Sequence, residues 1–279
     1  TAFGLSDGAV SAMYGVILSV DPMLRVFDLT HNIEPYNIWE ASYRLYQTID
    51  YWPAGTIFVS VVDPGVGSDR LSIAAKTDKG SYIITPDNGT ITHALEKVSF
   101  KEVRVIDESI HRLPHSSVSE TFHGRDIYAY TAARLAANEL TFTDLGPKID
   151  VKNLVTLKKR EPVINDHVIS GMIDILDVRF GNLWTNIDYE LFAKTQIDYG
   201  DLIDVTIHHT DQSSIVYQHE MIFGKSFADS HIGEPLLYVN SVGKIGVAIN
   251  QGHFAKAHQV GVGANWLINV QKEKYTIKS

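Results

Sequence analysis

An apolar, β-branched run, Gly55-Thr56-Ile57-Phe58-Val59-Ser60, breaks at Val61-Val62-Asp63-Pro64-Gly65-Val66-Gly67-Ser68-Asp69-Arg70. The run reads as a buried strand, and Pro and Gly end it in a turn. That turn carries one carboxylate, Asp63, and one guanidinium, Arg70. In open α/β sheets ligands bind beyond the carboxyl ends of strands, so chemistry would sit here. Taken alone, the ten residues also fit an ordinary Asp-Pro-Gly turn with a solvated Arg.

The surrounding pattern favours an α/β layer. Ser6-Asp7 precedes a helix-like set, Val10, Met13, Tyr14, Val16, Ile17 and Leu18, with the acceptor expected at a helix start. A strand is expected over 25–29, a helix over 38–51, strands over 71–75 and 81–84, a short helix over 90–98 and a strand over 102–106. The clearest helical spacing runs over 125–140. Strands alternating with helices predict an N-terminal α/β domain, residues 1–155, with a largely parallel sheet. Past Gly146-Pro147 and the charged connector Lys158-Lys159-Arg160-Glu161-Pro162, strand signals dominate. They cover 168–175, 183–187, 202–208, 214–219, 236–240 and 244–249, with one helix at 189–195. A small antiparallel β-barrel or sandwich is expected over 165–279, with a hairpin turn at Asn240-Ser241-Val242-Gly243.

Composition excludes several classes. The 279 residues include 33 acidic against 24 basic side chains, a formal net charge of −9. That opposes a nucleic-acid binder, which meets phosphates with a basic surface. The absence of Cys removes disulfides, thiolate nucleophiles and Cys-bound metals. No apolar run approaches the roughly 18–20 residues that span a bilayer, and no signal peptide is evident, so a soluble, cytoplasmic protein is expected. Thr1-Ala2-Phe3-Gly4 reads as the end of a strand whose body lies upstream, where a targeting segment could also lie. Twelve His show no HExxH and no paired spacing on one element, so no metal is expected. P-loop, GxGxxG and GxSxG patterns are also missing.

Two further stretches stand out. Thr121-Phe122-His123-Gly124-Arg125-Asp126 puts a His at a loop-to-helix junction, where free N–H groups and a Gly allow close approach to a ligand. An ordinary loop His fits equally. Ile175-Leu176-Asp177-Val178-Arg179-Phe180-Gly181-Asn182 offers an aromatic face for stacking and an amide for a heteroaromatic edge; a turn with an aromatic plug is the plain alternative.

Together and in order, Thr-Ala-Phe-Gly-Leu-Ser-Asp-Gly, Val-Val-Asp-Pro-Gly-Val-Gly, Pro-Asp-Asn-Gly, Phe-His-Gly-Arg-Asp, Phe-Gly-Asn-Leu-Trp-Thr-Asn and Asn-Ser-Val-Gly resemble the S-adenosyl-L-methionine hydroxide adenosyltransferases, relatives of the fluorinase and chlorinase. The resemblance runs from Thr1 to about Gln251. It implies an α/β domain, a β-barrel domain, and a homotrimer with active sites between subunits. It also implies hydrolysis of S-adenosyl-L-methionine to adenosine and L-methionine, with no cofactor. Asp63, Arg70 and His123 match a triad that prepares water for attack on ribose C5′. Phe180 and Asn182 match adenine contacts, Asp177 the partner of the methionine ammonium, Ser241 and Asp7 those of its carboxylate. Tyr36 takes the place of an aromatic near the ribose, and Gly124, Val242 and Gln251 border the site.

The halogenases carry Tyr at the positions of Asp63 and of His123, and the fluorinase has Ser at that of Gly124, so water is expected as nucleophile. A halogenase and a non-catalytic S-adenosylmethionine or adenosine sensor are the alternatives. One position departs from the pattern: family members have Asp, a ligand of the ribose hydroxyls, where this chain has Ala2. Ala2 is read as an engineered change that weakens turnover, against a natural variant.

Overall fold

The computed structural model describes residues 1–211 and 215–272. The chain divides into two compact units, Thr1–Leu157 and residues 158 onward.

In the first unit, α1 (Ala9–Val20) starts from Gly8 as its N-cap, without a side-chain cap, in place of the cap expected at Ser6-Asp7. Asp7, one residue earlier, accepts at Oδ1 from Ala9 N at 2.9 Å. Asn37 caps α2 (Ile38–Thr48) by accepting from Glu40 N. Strands β1 (Ile57–Val59), β2 (Ser72–Thr77), β3 (Tyr82–Pro86), β4 (Phe100–Val105) and β5 (Lys148–Ile149) form one sheet in the order β1-β3-β2-β4-β5. Its faces are sorted by alternation. Ile73, Ala75, Ile83 and Val103 pack with Leu45, Ile49 and Ile91, while Ala74 and Ile84 pack with Val61, Ile127, Tyr128 and Ala132.

The sheet is mixed, which corrects the expectation of a largely parallel one. Only β1 and β3 pair in parallel; β2–β3, β2–β4 and β4–β5 are antiparallel. The cause is local. Four residues, Asp78–Ser81, join β2 to β3, too few for the crossover that a parallel pair needs.

Three other local expectations change. Residues 25–29 form no strand; they and Ile57–Ser60 both line a cavity of about 470 Å³. Residues 90–98 hold only a 3₁₀ turn, Ala94–Glu96. The expected helix over 125–140 is two pieces. A π-helical segment, Gly124–Ala129, leads into a short α-helix, Tyr130–Ala136. Before them, Asp107 caps the one-turn α3 (Glu108–His111), so the Tyr130–Ala136 helix is α4.

The second unit contains β6 (Val163–Asn165), β7 (Val168–Leu176), β8 (Leu183–Asp188), α5 (Tyr189–Phe192), β9 (Leu202–His209), β10 (Ile215–Phe223), β11 (Pro235–Val239), β12 (Lys244–Ile249), α6 (Phe254–His258) and β13 (Trp266–Lys272). Seven strands, β13-β9-β10-β11-β12-β8-β7, close into a barrel through β13–β7, with β6 appended to β7. Closure selects the barrel over the sandwich and removes the exposed sheet edges. One pairing departs from the antiparallel expectation: β10 and β11 are parallel. The eleven-residue link Gly224–Glu234 gives the chain room to return before β11. Inward side chains such as Ile173, Leu183, Val205, Ile207, Val247 and Ile268 fill the interior. The strand expected from Ser214 begins at Ile215, with Ser214 itself outside the described residues. β11 and β12 are joined by the expected hairpin turn, in which Asn240 Oδ1 accepts from Val242 N and Lys244 N at 3.0 Å each.

Candidate active site

The turn after β1 folds back so that Asp63 and Arg70 meet. Arg70 Nε donates to Asp63 Oδ2 at 2.9 Å, and Nη2 lies 2.6 Å from the same oxygen. Their side chains are only 10% and 5% exposed, so this is a desolvated pair whose loss of either partner would strand a charge. Arg70 Nη2 also lies 2.8 Å from His123 Nδ1. Asp63, Arg70 and His123 therefore converge although their positions span sixty residues of chain.

Burial opposes the charge on Arg70, but the hydrogen bond it donates to Asp63 and the charges of Asp63 and Glu108 outweigh it, and the guanidinium is held above its usual range. The ring of Tyr128 lies beneath the guanidinium, 5.7 Å from Cζ to centroid. Burial pushes the Tyr128 hydroxyl well above the usual phenol range. The π-helical segment explains how His123 and Tyr128 both reach Arg70. A π turn takes one residue more than an α turn, bringing positions five apart toward one face.

The set is larger than the three residues that sequence motifs single out. Arg70 Nη1 donates to Ser72 Oγ at 3.0 Å and to Glu108 Oε1 at 3.2 Å. Ser72 Oγ lies 2.5 Å from Glu108 Oε1 and 2.9 Å from the Tyr128 hydroxyl. On the far side of the imidazole, His123 Nε2 lies 2.9 Å from Glu120 Oε2, which also accepts from Arg112 Nη2 at 2.5 Å. Those two hydrogen bonds hold the Glu120 carboxyl below its usual range. Because a guanidinium can only donate, Nδ1 of His123 accepts from Arg70 at 2.8 Å. Nε2 has an acceptor, Glu120 Oε2, at 2.9 Å and a second donor, Arg112 Nη2, at 3.3 Å. The shorter contact assigns the ring proton to Nε2, donated to Glu120. Ser72 opens β2 only two residues past Arg70, so its proximity could be read from the sequence. Glu108, Arg112, Glu120 and Tyr128 leave no local signal.

The other expected positions fall into groups. Ala2 packs with Ile33, Ala41 and Val62, the residue before Asp63. Phe3 meets Phe122 edge to face at 5.5 Å, and a Cβ on the buried Gly124 would come within 3.1 Å of it. The segment starting at Ala2 thus flanks both ends of the triad. Tyr36 is 78% exposed, with a left-handed φ of 68°. Asp7 is exposed and engaged at the start of α1. None of these side chains lines the 470 Å³ cavity.

In the barrel unit, Asp177, Phe180 and Asn182 share the β7–β8 loop. Asp177 N donates to Asn182 O at 3.0 Å and Gly181 N to Asp177 O at 2.7 Å, closing the loop tightly. Phe180 is 66% exposed while Asn182 is buried. Burial pushes the Tyr238 hydroxyl up to about 12, although hydrogen bonds with Trp184 and Asn182 act against it. Gln251 follows β12 on the same side, where Ala255 N donates to Gly181 O at 3.0 Å. Ser241 and Val242 lie on the β11–β12 turn. The pairs Lys244–Asp188 and Val247–Leu183 put that turn at the opposite end of β8 from the Asp177–Asn182 loop.

Gly181 has a φ of +67°, and a Cβ there would fall 1.8 Å from His253 Nδ1, the acceptor that caps α6. Gly181→Ala should therefore cost at least about 2 kcal/mol. Urea denaturation would check this, a midpoint equal to that of the parent showing that His253 yields freely.

No group of three or more His, Cys, Asp or Glu is arranged to hold a metal among the described residues. No described helix is long and apolar enough to cross a membrane.

A desolvated carboxylate–guanidinium–imidazole set on a mixed α/β sheet, accompanied in the chain by a closed seven-stranded barrel, defines a two-domain protein of enzymatic character. Residues 1–146 match the N-terminal domain and residues 171–267 the C-terminal domain of the SAM hydroxide adenosyltransferases, and the chain belongs to that family. It is 34% identical to an (R)-S-adenosyl-L-methionine hydrolase of Salinispora tropica, covering 91% of this chain and 90% of that protein. A hydrolase of the same name from Methanocaldococcus jannaschii is 34% identical over 75% of this chain and 72% of its own. A fluorinase of Actinoplanes sp. is 26% identical over 93% of this chain and 92% of its own. Among solved structures, an uncharacterized conserved protein from Thermotoga maritima superposes with a TM-score of 0.84 at 32% identity, covering 97% of both chains.

Proposed function

We propose that this protein hydrolyses S-adenosyl-L-methionine to adenosine and L-methionine by in-line attack of water on ribose C5′. The observation that carries this reading is the convergence of Asp63, Arg70 and His123 into one buried set. The chemistry suits those groups. As the water oxygen bonds to C5′, the C5′–S bond breaks and its electron pair returns to sulfur. The positively charged sulfonium thus leaves as a neutral thioether and needs no acid to protonate it. What remains is to hold water at near-attack geometry and accept its proton, a task for a fixed carboxylate.

Asp63, Arg70 and His123 form the nucleophile side. Phe180 and Asn182 receive adenine, Asp177 the methionine ammonium, and Ser241, with Asp7, the carboxylate. Gly124, Tyr36, Val242 and Gln251 border the substrate. The exposed Phe180 ring and the buried, tethered Asn182 amide suit stacking and edge recognition respectively. Ala2, beside Val62, leaves the ribose hydroxyls without a carboxylate and lowers activity. A cytoplasmic homotrimer with active sites between subunits, and no cofactor, completes the proposal.

The fluorinase relative makes a halide-using reaction the alternative. Incubation with S-adenosylmethionine, with and without fluoride or chloride, separates them. Adenosine at a rate independent of halide is expected; 5′-halo-adenosine without adenosine would overturn the hydrolase, and tight binding without product would make the protein a sensor.

A further inference from the structure

We propose that Glu108 belongs to the catalytic constellation as a positioning residue. By locking the Arg70 guanidinium, it leaves Asp63 Oδ1 as the atom that takes the proton from the attacking water. The inference rests on the reading of this site as one that activates water.

A guanidinium has five N–H donors on three nitrogens, and each nitrogen of Arg70 has a protein partner. Nε and Nη2 meet Asp63 Oδ2, Nη2 also meets His123 Nδ1, and Nη1 meets Ser72 Oγ and Glu108 Oε1. Arg70 is thus committed to protein partners on every nitrogen. His123 is also committed to protein partners, Nδ1 to Arg70 and Nε2 to Glu120, with Arg112 Nη2 a further 3.3 Å from Nε2. Asp63 differs. Oδ2 takes the contacts from Arg70, whereas Oδ1 is buried and has no hydrogen-bond partner among the described residues. A buried carboxylate oxygen normally has a partner. Gly65 borders Oδ1: a Cβ added there would be in van der Waals contact with it at 3.8 Å, and nearer still to Ser68 Oγ and Arg70 Cγ. The absence of a side chain at Gly65 thus keeps that side of the carboxylate clear.

Glu108 makes this allocation possible. Without its carboxylate, the Nη1 end of Arg70 would have Ser72 alone, and the guanidinium could turn an N–H toward the nucleophile or away from His123. Glu108 also shapes the charge of the site. Asp63, Arg70 and a neutral His123 sum to zero. Adding Glu108 with the Arg112–Glu120 pair brings the total to −1, which suits a cationic sulfonium and disfavours a preformed hydroxide. In the reaction the water proton passes to Asp63 Oδ1 as the O–C5′ bond forms, and leaves to solvent after adenosine departs.

A double-mutant cycle on the full-length protein tests this, with Glu108→Ala, Arg70→Lys and their combination, and Glu108→Gln as a shape-preserving control. Glu108→Ala is expected to lower kcat about 10- to 100-fold, with KM within about twofold. Glu108→Gln, keeping one acceptor for Ser72 and Arg70, should recover part of that loss. Because Glu108 acts through Arg70, the double variant should be no slower than Arg70→Lys alone. Losses that multiply, or a Glu108→Ala kcat within twofold of the parent, would overturn the role of Glu108 while leaving the triad standing. If Asp63→Asn and Arg70→Lys also left kcat unchanged, the water-activating reading itself would fail.

Discussion

Replacing Asp63 by Asn should lower the turnover of S-adenosylmethionine about 10²- to 10⁴-fold, the range for loss of a positioned general base, while KM stays within a few-fold. Asn has nearly the shape of Asp and keeps an oxygen for Arg70, but its amide cannot take a proton. The Asp63 side chain is 5% exposed and its Oδ2 carries two contacts from Arg70. The variant therefore also removes the nearer counter-charge of a buried guanidinium. Glu108 still offers a carboxylate 3.2 Å from Nη1, so Arg70 is not left wholly uncompensated and the fold survives. Steady-state kinetics with a melting curve separate the two effects. Full activity would remove Asp63 from the mechanism.

Ala2→Asp should act in the opposite direction. Hydrogen bonds to a charged group contribute about 1.5–3 kcal/mol each, so a carboxylate at position 2 that binds a ribose hydroxyl should raise kcat/KM roughly 10- to 150-fold. The backbone there is well placed: Ala2 packs against Val62, and Phe3 reaches Phe122 and Gly124. The new carboxylate would enter beside Asp63, whose charge Arg70 already balances. Titration with adenosine and initial-rate measurements check this. Unchanged affinity and rate would show that position 2 does not meet the ribose.

The three side chains that converge, Asp63, Arg70 and His123, were legible in the sequence, for a physical reason. Asp63 lies in the turn after β1, Arg70 just before β2 and His123 just before the π-helical segment, junctions marked by Pro or Gly in sequence, and the family motifs cluster on them. The direction of the N-terminal sheet was legible in principle, because four residues between β2 and β3 permit only a hairpin. The alternation of strands and helices outweighed that shorter signal and gave the wrong sheet. The π turn over Gly124–Ala129 was not legible. It differs from an α turn by one residue in its hydrogen bonding, which side-chain periodicity does not register. Glu108 was hidden for another reason: it stands 38 residues from Arg70, and only the packing of α3 brings the two together. In the barrel, the run Leu267-Ile268-Asn269-Val270, with two β-branched residues at Ile268 and Val270, carries a strand signal of its own. It forms β13, which closes the ring by pairing with both β7 and β9.

The most direct test is hydrolysis in ¹⁸O-labelled water, with mass analysis of the nucleoside. Attack on C5′ predicts adenosine carrying one ¹⁸O at its 5′-hydroxyl, with unlabelled methionine formed in equal amount. Adenosine without the label, or a nucleoside bearing halide at C5′ in its place, would contradict the account.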